Sequence, residues 1–539
     1  MSTTVREAND RGFECCILSD CTSGFNSDFV QTSLDMISAY DGLFGYIAPS
    51  QDFLALQTSS QAQLTPPLTP PIEVERMDLG LGALRRRYAQ GSSSPVQLVH
   101  NIYDWIEANK DKFPNVWIHL RPRADLVEEA THLQKVYAGM PTPPLYGVPF
   151  AVKDNFDVAG IPTTAACSAY EYTPIKDAPT VSALRHAGAL LIGKTNMDQL
   201  ATGLSGCRSP FGSPCSVYGH SKYISGGSSS GSGVGVAARM VNFALGTDTA
   251  GSGRVPAALN GIVGFKPTKG TLSARRIVPA CKSLDTVSIF AASISDARSV
   301  WQILDFYDPA DAYAKSISSL PLKAVDYRGV EGGGFSFTVP PLEVLEVCSL
   351  IYRSMFADTV RRLEDLGGRL TPLSASDYEP FQTANELLYS GTLVNERIAC
   401  IGHDFITKYI DSLHPTTKTL FQAILSRDAK PWDLFADQIK QAECTRKAQQ
   451  IFKTIDVMVL PAVPCHPTLE AMEQDPIGLN AKMGEFTHFG NVLDLCAVNI
   501  NAAFYEGNDG AMPFGISLVG GMGMDGRVMD IAAFIEERL

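Results

Sequence analysis

One serine of this chain lies in a stretch whose side chains are nearly all small. The stretch runs from Gly246 to Arg254 and reads Gly-Thr-Asp-Thr-Ala-Gly-Ser-Gly-Arg, with Ser252 near its end. Small residues let the backbone curl closely around a bound molecule, which is how a serine nucleophile is presented. We expect the backbone N–H groups of this turn to converge on one oxygen atom as an oxyanion hole. These groups belong to Thr249, Ala250, Gly251 and Ser252.

A second glycine–serine loop and a lysine precede this turn. The loop spans Gly226 to Ser232 and contains Ser228, 24 residues before Ser252. Lys153 lies 75 residues before Ser228, at the end of a short apolar run. A serine hydroxyl needs a base to remove its proton, and a lysine can be that base only where burial lowers its pKa. These residues therefore suit nucleophilic catalysis by a serine, with a buried lysine as a candidate base.

At these residues the chain resembles the amidase signature family. The resemblance covers roughly residues 73–539, and the lysine strand and both glycine–serine loops carry its most specific motifs. It implies a Ser–cis-Ser–Lys triad in which Ser252 is the nucleophile, Ser228 the bridging serine and Lys153 the end of the proton relay. It also implies a cis peptide between Gly227 and Ser228, and an acyl-enzyme mechanism that requires no cofactor and no metal.

Within that family the sequence motifs are most similar to those of the allophanate hydrolases. This similarity implies that Gly203, Tyr389 and Arg397 bind the substrate, which is a urea that carries a carboxylate. A guanidinium group recognises a carboxylate through two parallel hydrogen bonds, which suits Arg397 to that role. The segments that carry the similarity are Tyr146–Phe150, Thr163–Cys167, Ala201–Leu204, Arg208–Pro210, Gly246–Pro256, Pro279–Asp285 and Leu387–Arg397.

Departures from the allophanate hydrolase pattern leave the substrate open. Lys282 occupies the position at which the pattern has arginine, and residues 500–505 lack the proline-rich sequence of that pattern. The sequence also ends with the amidase domain, whereas allophanate hydrolases commonly carry a further C-terminal domain that handles the first product. The alternatives are an amidase that acts on another amide in a specialised biosynthetic pathway, an amidotransferase-like subunit, and a non-catalytic remodelled fusion protein.

Two further motif matches are weaker. Residues 188–195 fit the Walker A pattern, but the four middle residues Ala-Leu-Leu-Ile predict a strand rather than a phosphate-binding turn. Residues 227–231 fit the G-x-S-x-G nucleophile elbow, which needs a catalytic histidine downstream. The available histidines, none of which lies in a recognisable catalytic context, are His403, His414, His466 and His488.

The elements around these motifs alternate between strand and helix. Strands are predicted at 149–153 and 189–192 with a helix over 180–187 between them, which is the order of an α/β protein. Ser94 followed by proline predicts a helix start, and a mostly helical region is predicted over 341–452 before two later strands return to the sheet. The fold class is therefore α/β, and the family resemblance implies a mixed central β-sheet covered by helices on both faces.

The first 72 residues differ from the rest of the chain. Residues 1–58 predict a small β–α–β unit and resemble the last third of an isochorismatase-like cysteine hydrolase, whose catalytic residues would lie upstream of this point. Residues 59–72 are proline-rich and predict an extended linker. Residues 73–539 then form the amidase signature domain, and we assign no catalytic role to the cysteines of the first segment.

Composition limits the partners and the compartment. The formal net charge of −13 disfavours nucleic acid and anionic membranes as main partners, because both favour a basic surface. The 12 cysteines show no spacing typical of a zinc site. No apolar run reaches the length of about 18 residues that a membrane span needs. We therefore expect a cytoplasmic enzyme that acts on a small-molecule amide, without nucleic acid, membrane or metal, and with a homodimer as the candidate assembly.

Overall fold

The structure is a computed structural model in which the chain divides into two compact units, Met1–Ile72 and Glu73–Leu539. In the first unit, strands β1 (Cys16–Leu18) and β2 (Tyr46–Ala48) pair in parallel, as the two strands of a β–α–β unit must. The helix predicted between them and the proline-rich segment lie outside the described residues. The described residues are 16–18, 46–48, 78–316, 330 and 334–539.

The second unit is built on one mixed sheet of eleven strands. These strands are β3 (Trp117–Leu120), β4 (Pro149–Lys153), β5 (Leu190–Thr195), β6 (Phe243–Asp248), β7 (Val263–Lys266), β8 (Thr286–Ala291), β9 (Phe335–Thr338), β10 (Gly368–Leu370), β11 (Val457–Pro461), β12 (Cys496–Gly507) and β13 (Gly510–Gly520). Their order in the sheet is β10-β9-β11-β13-β12-β7-β8-β6-β4-β5-β3. β4 pairs in parallel with β5 and β6, whereas β12 and β13 form a long antiparallel pair.

Helices cover this sheet, and the predicted α/β fold class is confirmed. None of the described helices is both long enough and apolar enough to cross a membrane. The helices are α1 (Leu81–Ala89), α2 (Pro95–Ala108), α3 (Arg123–Val136), α4 (Pro179–His186), α5 (Ser230–Ala237), α6 (Val255–Leu259), α7 (Ile294–Leu304), α8 (Leu350–Asp365), α9 (Ala375–Tyr389), α10 (Glu396–Ile401), α11 (His403–Tyr409), α12 (Pro415–Leu425), α13 (Pro431–Ile451), α14 (Leu469–Gln474), α15 (Gly478–Met483), α16 (Phe489–Val492) and α17 (Asp525–Glu536).

Local sequence signals explain several of these elements. The predicted start of α2 is confirmed, because the Ser94 side chain accepts a hydrogen bond from the N–H of Gln97 at 3.2 Å. Every residue of β4, β5 and β6 is buried, which matches the nearly continuous apolar runs of parallel strands that are covered on both faces. A smaller apolar cluster contains Ala201 and Ile401, so it lies beside the segments that carry Gly203 and Arg397.

The Walker A match is a coincidence of strand packing. Three of its four middle residues, Leu190 to Ile192, belong to β5, and its lysine is bound to other partners. Lys194 Nζ donates to the Pro162 carbonyl oxygen at 2.7 Å and to Thr163 Oγ1 at 2.9 Å, and it forms an ion pair with Asp154 at 3.1 Å. A fully buried lysine with these partners has no free charge to offer a phosphate.

Gly193, the second glycine of that match, is required by the close approach of β3. A Cβ atom at this position would overlap the His119 carbonyl oxygen and lie 3.1 Å from Leu120 Cα. We predict that Gly193→Ala lowers the free energy of unfolding by about 1–3 kcal/mol, as overpacking of a buried site does. The matched control is Gly82→Ala on the exposed side of α1, which should raise that free energy by about 1 kcal/mol. Equal thermal unfolding midpoints for the two variants would contradict the prediction.

Candidate active site

Three polar side chains from separate parts of the sequence form one continuous hydrogen-bonded chain. Lys153 Nζ donates to Ser228 Oγ at 2.8 Å, and Ser228 Oγ donates to Ser252 Oγ at 2.9 Å. All three residues are buried, and the peptide between Gly227 and Ser228 is cis, as the resemblance implies. The structure thus brings together the three residues that the sequence singles out as a triad.

The sheet explains how these residues meet. β4 ends at Lys153 and lies in parallel beside β6, which ends at Asp248, so both strands reach the same edge of the sheet. Ser252 follows β6 in the turn before α6, and Ser228 lies just before α5. Functional groups of open α/β sheets gather at the carboxyl ends of parallel strands, and the candidate site is at such an edge.

The lysine amine lies among hydroxyl groups. Besides Ser228, Lys153 Nζ donates to Thr247 Oγ1 at 2.8 Å, and in the described ranges it forms no ion pair with a carboxylate. Burial lowers the pKa of Lys153 to about 7, although the more distant Asp198, Asp285 and Asp248 favour the charged form. A large fraction of the amine is therefore neutral near pH 7 and can accept a proton.

A buried ion pair clamps the turn that carries Ser252. Arg254 Nε and Nη2 donate to the two carboxylate oxygens of Asp248, each at 2.9 Å, and the N–H groups of Gly251 and Gly253 donate to the same oxygens at 2.9 Å. Neither charged side chain is exposed. Burial alone would raise the pKa of Asp248, but Arg254 holds it below its usual range. The carboxylate thereby ties both ends of the turn together.

The same clamp reduces the number of backbone N–H groups that are available for the predicted oxyanion hole. The Gly251 N–H points at Asp248 Oδ1, so the prediction that it donates to a substrate oxygen is corrected. Gly251 is instead part of the clamp. Among the residues that the structure describes, the N–H groups of Ala250 and Ser252 donate to no protein acceptor. Ala250 and Ser252, together with Thr249, remain the candidate donors.

Asp198 supports the bridging serine and was not singled out from the sequence. Its Oδ1 accepts from the Arg208 N–H at 2.9 Å, its Oδ2 accepts from the Gly206 N–H at 3.1 Å, and its own N–H donates to the Ser228 carbonyl at 3.0 Å. A Cβ atom on Gly227 would overlap the Asp198 carboxylate, so this glycine permits the close approach. The sequence feature that could have identified Asp198 is its position just after the carboxyl end of β5, which lies beside β4.

A distant segment also holds the nucleophile turn. Thr487 Oγ1 donates to the Ala250 carbonyl at 2.8 Å, and Asn491 Nδ2 donates to the Asp248 carbonyl at 2.7 Å. These partners are 237 and 243 residues apart in the sequence. No local pattern in the sequence indicates such contacts, because neither residue lies in a recognisable motif.

The structure also brings the predicted substrate-binding residues together. Arg397 Nη1 donates to Thr202 Oγ1 at 3.0 Å, next to Gly203 in the chain, and the Tyr389 hydroxyl interacts with the same guanidinium group. Burial opposes the charge of Arg397, but neighbouring groups that include Tyr389 raise its pKa, so it stays protonated. Arg397 is 3 % exposed and pairs with no carboxylate in the described part of the chain. Burial is the main cause of the lowered pKa of Lys153, and the Arg397 charge contributes to the same shift.

The histidine-dependent alternative finds no support. Across residues 78–316 and 334–539, no histidine is hydrogen-bonded to Ser228 or Ser252. His466 Nε2 instead contacts the Ile224 carbonyl oxygen at 3.0 Å, and the His488 ring packs against Tyr389 with centroids 4.8 Å apart. Burial lowers the pKa of His466 to about 4. The G-x-S-x-G match is therefore a feature of the loop before α5 and not of a serine–histidine site.

Comparison with known proteins identifies the family of the chain. The amidase family model matches residues 99–529. Urea amidolyase of Saccharomyces cerevisiae is 38% identical over 450 residues, which cover 82% of this chain and 23% of the yeast protein. The chain thus spans about a quarter of that relative. A glutamyl-tRNA(Gln) amidotransferase subunit of Streptococcus thermophilus is 29% identical, with 73% of this chain and 83% of that relative covered.

A solved structure shows the same architecture. Allophanate hydrolase of Kluyveromyces lactis superimposes with a TM-score of 0.74 at 35% identity, covering 85% of this chain and 72% of that protein. The family model extends over most of the second unit, and its range includes the positions of Lys153, Ser228, Ser252, Gly203, Tyr389 and Arg397. The chain therefore belongs to the amidase signature family of amide-hydrolysing enzymes.

Proposed function

We propose that this protein hydrolyses allophanate, or a similar small amide with a carboxylate, through an acyl-enzyme on Ser252. The observation that carries the proposal is the unbroken hydrogen-bonded chain from Ser252 through Ser228 to the buried amine of Lys153. Arg397 is buried and pairs with no carboxylate among the residues that the structure describes, which supports an acidic substrate. The relatives named urea amidolyase and allophanate hydrolase support the same choice.

In the first half of the reaction, neutral Lys153 accepts the Ser228 proton while Ser228 accepts the Ser252 proton. The distances of 2.8 Å from Lys153 Nζ to Ser228 Oγ and 2.9 Å from Ser228 Oγ to Ser252 Oγ allow proton transfer in either direction. Ser252 Oγ then attacks the terminal carbamoyl carbon, and the N–H groups of the turn stabilise the oxyanion. The relay returns its proton to the terminal nitrogen, so the C–N bond breaks and ammonia leaves.

The second half uses the same groups in the opposite order. A water molecule takes the place of ammonia, gives its proton to the relay and attacks the ester carbonyl of the acyl-enzyme. The oxyanion again lies against the turn, and Ser252 leaves with the proton that the relay returns. The product is the acid that corresponds to the attacked amide, and the triad is restored.

Arg397 and Tyr389 fix the orientation of the substrate in this scheme. A guanidinium group forms two parallel hydrogen bonds with a carboxylate, and Arg397 still has donors beyond the one used by Thr202. Gly203 follows Thr202 with φ +158°, and a Cβ there would overlap or crowd the Asp198 carboxylate. The glycine thereby lets its segment approach Asp198, whose N–H donates to the carbonyl of the bridging serine.

A second candidate function is that of an amidotransferase-like subunit. The 29% identity to the streptococcal glutamyl-tRNA(Gln) amidotransferase protein favours it, since glutamine is also an amide with a carboxylate. Turnover of allophanate against glutamine, together with a search for bound partner proteins, separates the two candidates. Another amide of a specialised pathway would appear in the same substrate panel, and absence of turnover on the whole panel would favour a non-catalytic protein.

The remaining features of the proposal concern the first unit and the assembly. The parallel pair β1–β2 supports a remnant of an isochorismatase-like hydrolase over residues 1–58, joined by a linker at 59–72 to the amidase domain. The exposed apolar side chains of Trp432, Phe435 and Ile439 lie on one face of α13 and support a homodimer. We also propose a cytoplasmic location, and the net charge of −13 supports an enzyme without nucleic-acid or anionic-membrane partners.

The nucleophile can be tested with a fluorophosphonate probe, which labels activated serines. We predict that Ser252→Ala abolishes labelling and amide hydrolysis, because the relay then has no hydroxyl to activate. Ser229→Ala, which changes a buried serine of the neighbouring loop, is the matched control and should still be labelled. Labelling that persists in the Ser252→Ala variant would move the nucleophile to another serine.

The pKa of Lys153 predicts the pH dependence of the reaction. The base must be neutral, and burial lowers its pKa to about 7, so kcat/KM should rise about tenfold per pH unit below pH 7 and level off above it.

Lys153→Ala and the Lys153→Ala/Ser228→Ala double variant should lose similar activity, because the two residues act as one unit. A profile that is flat from pH 5 to 8, or multiplicative losses, would contradict the relay.

The role of Arg397 can be tested by substrate selectivity. A hydrogen bond to a charged group contributes about 1.5–3 kcal/mol, so Arg397→Ala should lower kcat/KM for allophanate by about 10- to 100-fold. Hydrolysis of the neutral amide propionamide should change much less. Arg397→Lys should recover only part of the loss, because lysine keeps the charge but not the planar fork. Equal losses on both substrates would make Arg397 a structural residue.

A further inference from the structure

One peptide of the nucleophile turn has no hydrogen-bonded anchor of its own. The Asp248 carbonyl accepts from Asn491, the Ala250 carbonyl accepts from Thr487, and the Gly251 N–H donates to Asp248. Between them, the Thr249 carbonyl and the Ala250 N–H have no partner among the residues that the structure describes. This is the peptide whose N–H the proposed mechanism directs at the oxyanion, so its orientation must be set in another way.

The Thr249 side chain supplies that anchor. Its Oγ1 donates a short hydrogen bond to Asp285 Oδ1, and Thr249 is only 2 % exposed. Asp285 lies immediately before β8, and its carboxylate also accepts from the N–H groups of Ala280 at 2.9 Å and Cys281 at 3.2 Å. These backbone donors fix the carboxylate, and the carboxylate in turn fixes the rotamer of Thr249.

We propose that Asp285 is a positioning residue, which acts through Thr249 to aim the Ala250 N–H at the developing oxyanion. The inference deepens the proposed function and rests on it, since it concerns the same acyl transfer. Among the described residues Asp285 forms no hydrogen bond with Ser252, Ser228 or Lys153, and its contact with the turn is the Thr249 hydroxyl. Its contribution is to stop the unanchored peptide from rotating when negative charge appears on the substrate oxygen.

The electrostatic surroundings suit a carboxylate in this position. Burial raises the pKa of Asp285 to about 6, whereas the Thr249 hydroxyl, the N–H groups of Cys281 and Ala280, and Arg397 oppose that rise. Asp285 is therefore ionised at pH 8, where all three of its donors need an acceptor. Its charge also favours the protonated form of Lys153, so it stabilises the relay after the proton has arrived.

Thr249→Val tests the inference, because valine keeps the shape of threonine and removes the hydroxyl. Loss of one oxyanion donor costs about 100- to 1,000-fold in kcat, and a donor that is loosened rather than removed should cost about 10- to 100-fold. We expect that fall in kcat and in the rate constant of fluorophosphonate labelling at pH 8, with KM nearly unchanged. Thr249→Ser keeps the hydroxyl and should restore most of the rate.

Three outcomes overturn the inference. Labelling of Thr249→Val at the wild-type rate removes the need for the anchor while the proposed function stands. Equal losses in Thr249→Val and Thr249→Ser would show that the hydroxyl is not what the rate depends on, because serine keeps it. A wild-type protein that the probe does not label refutes the proposed function first, and the inference falls with it.

Asp285→Asn provides a second measurement if Thr249→Val does not fold. The amide has one acceptor oxygen in place of two, so it cannot hold Thr249 and both backbone donors together. Because the oxyanion forms with every substrate, this variant should lower kcat for allophanate and propionamide by the same factor. A loss confined to allophanate would place Asp285 in carboxylate recognition and overturn the inference.

Discussion

A lysine ammonium group is strongly hydrated in water, and its transfer into a protein interior disfavours the charged form. The site depends on this constraint. Lys153 is fully buried, and the groups within hydrogen-bonding distance of its Nζ are the hydroxyls of Ser228 and Thr247 rather than a carboxylate. A direct ion pair would keep the amine protonated and remove the base. The more distant carboxylates restore part of the charge stability, which leaves the pKa near neutrality, where a base is most useful.

The charged groups that hold the nucleophile turn, unlike Lys153, are paired directly with each other. Asp248 and Arg254 are also fully buried, but they form a two-fold hydrogen-bonded pair, and two backbone N–H groups complete the coordination of the carboxylate. Removal of one partner from a buried pair of this kind typically costs about 3–5 kcal/mol, because the other charge is left without compensation. The arrangement makes the turn rigid, and rigidity allows backbone N–H groups to stabilise an oxyanion without reorganisation.

The residues proposed to recognise the substrate are separated from the triad in sequence and joined to it in space. Arg397 lies in the first turn of α10 and Tyr389 ends α9, whereas Thr202 and Gly203 follow β5. The contact between Arg397 and Thr202 joins residues 195 positions apart. A guanidinium group held by a hydroxyl, with no carboxylate of the described chain in contact, keeps its charge available to an acidic substrate. Helices beyond the sheet can therefore change specificity while the edge of the sheet keeps the acyl-transfer chemistry.

Local pattern determined the α/β class and the helix start at Ser94, and the family resemblance of local motifs singled out Lys153, Ser228 and Ser252. These features could be predicted because small-residue turns, helix caps and apolar strands are each formed by consecutive residues. The order of the sheet could not, since β4 lies between β5 and β6 through pairings that no short segment encodes. The tertiary structure also decided that the Gly251 N–H serves Asp248 and that Thr487, Asn491 and Asp285 hold the turn. Hydrogen bonds and pKa values depend on which groups meet and how deeply they are buried, and only the folded chain sets both.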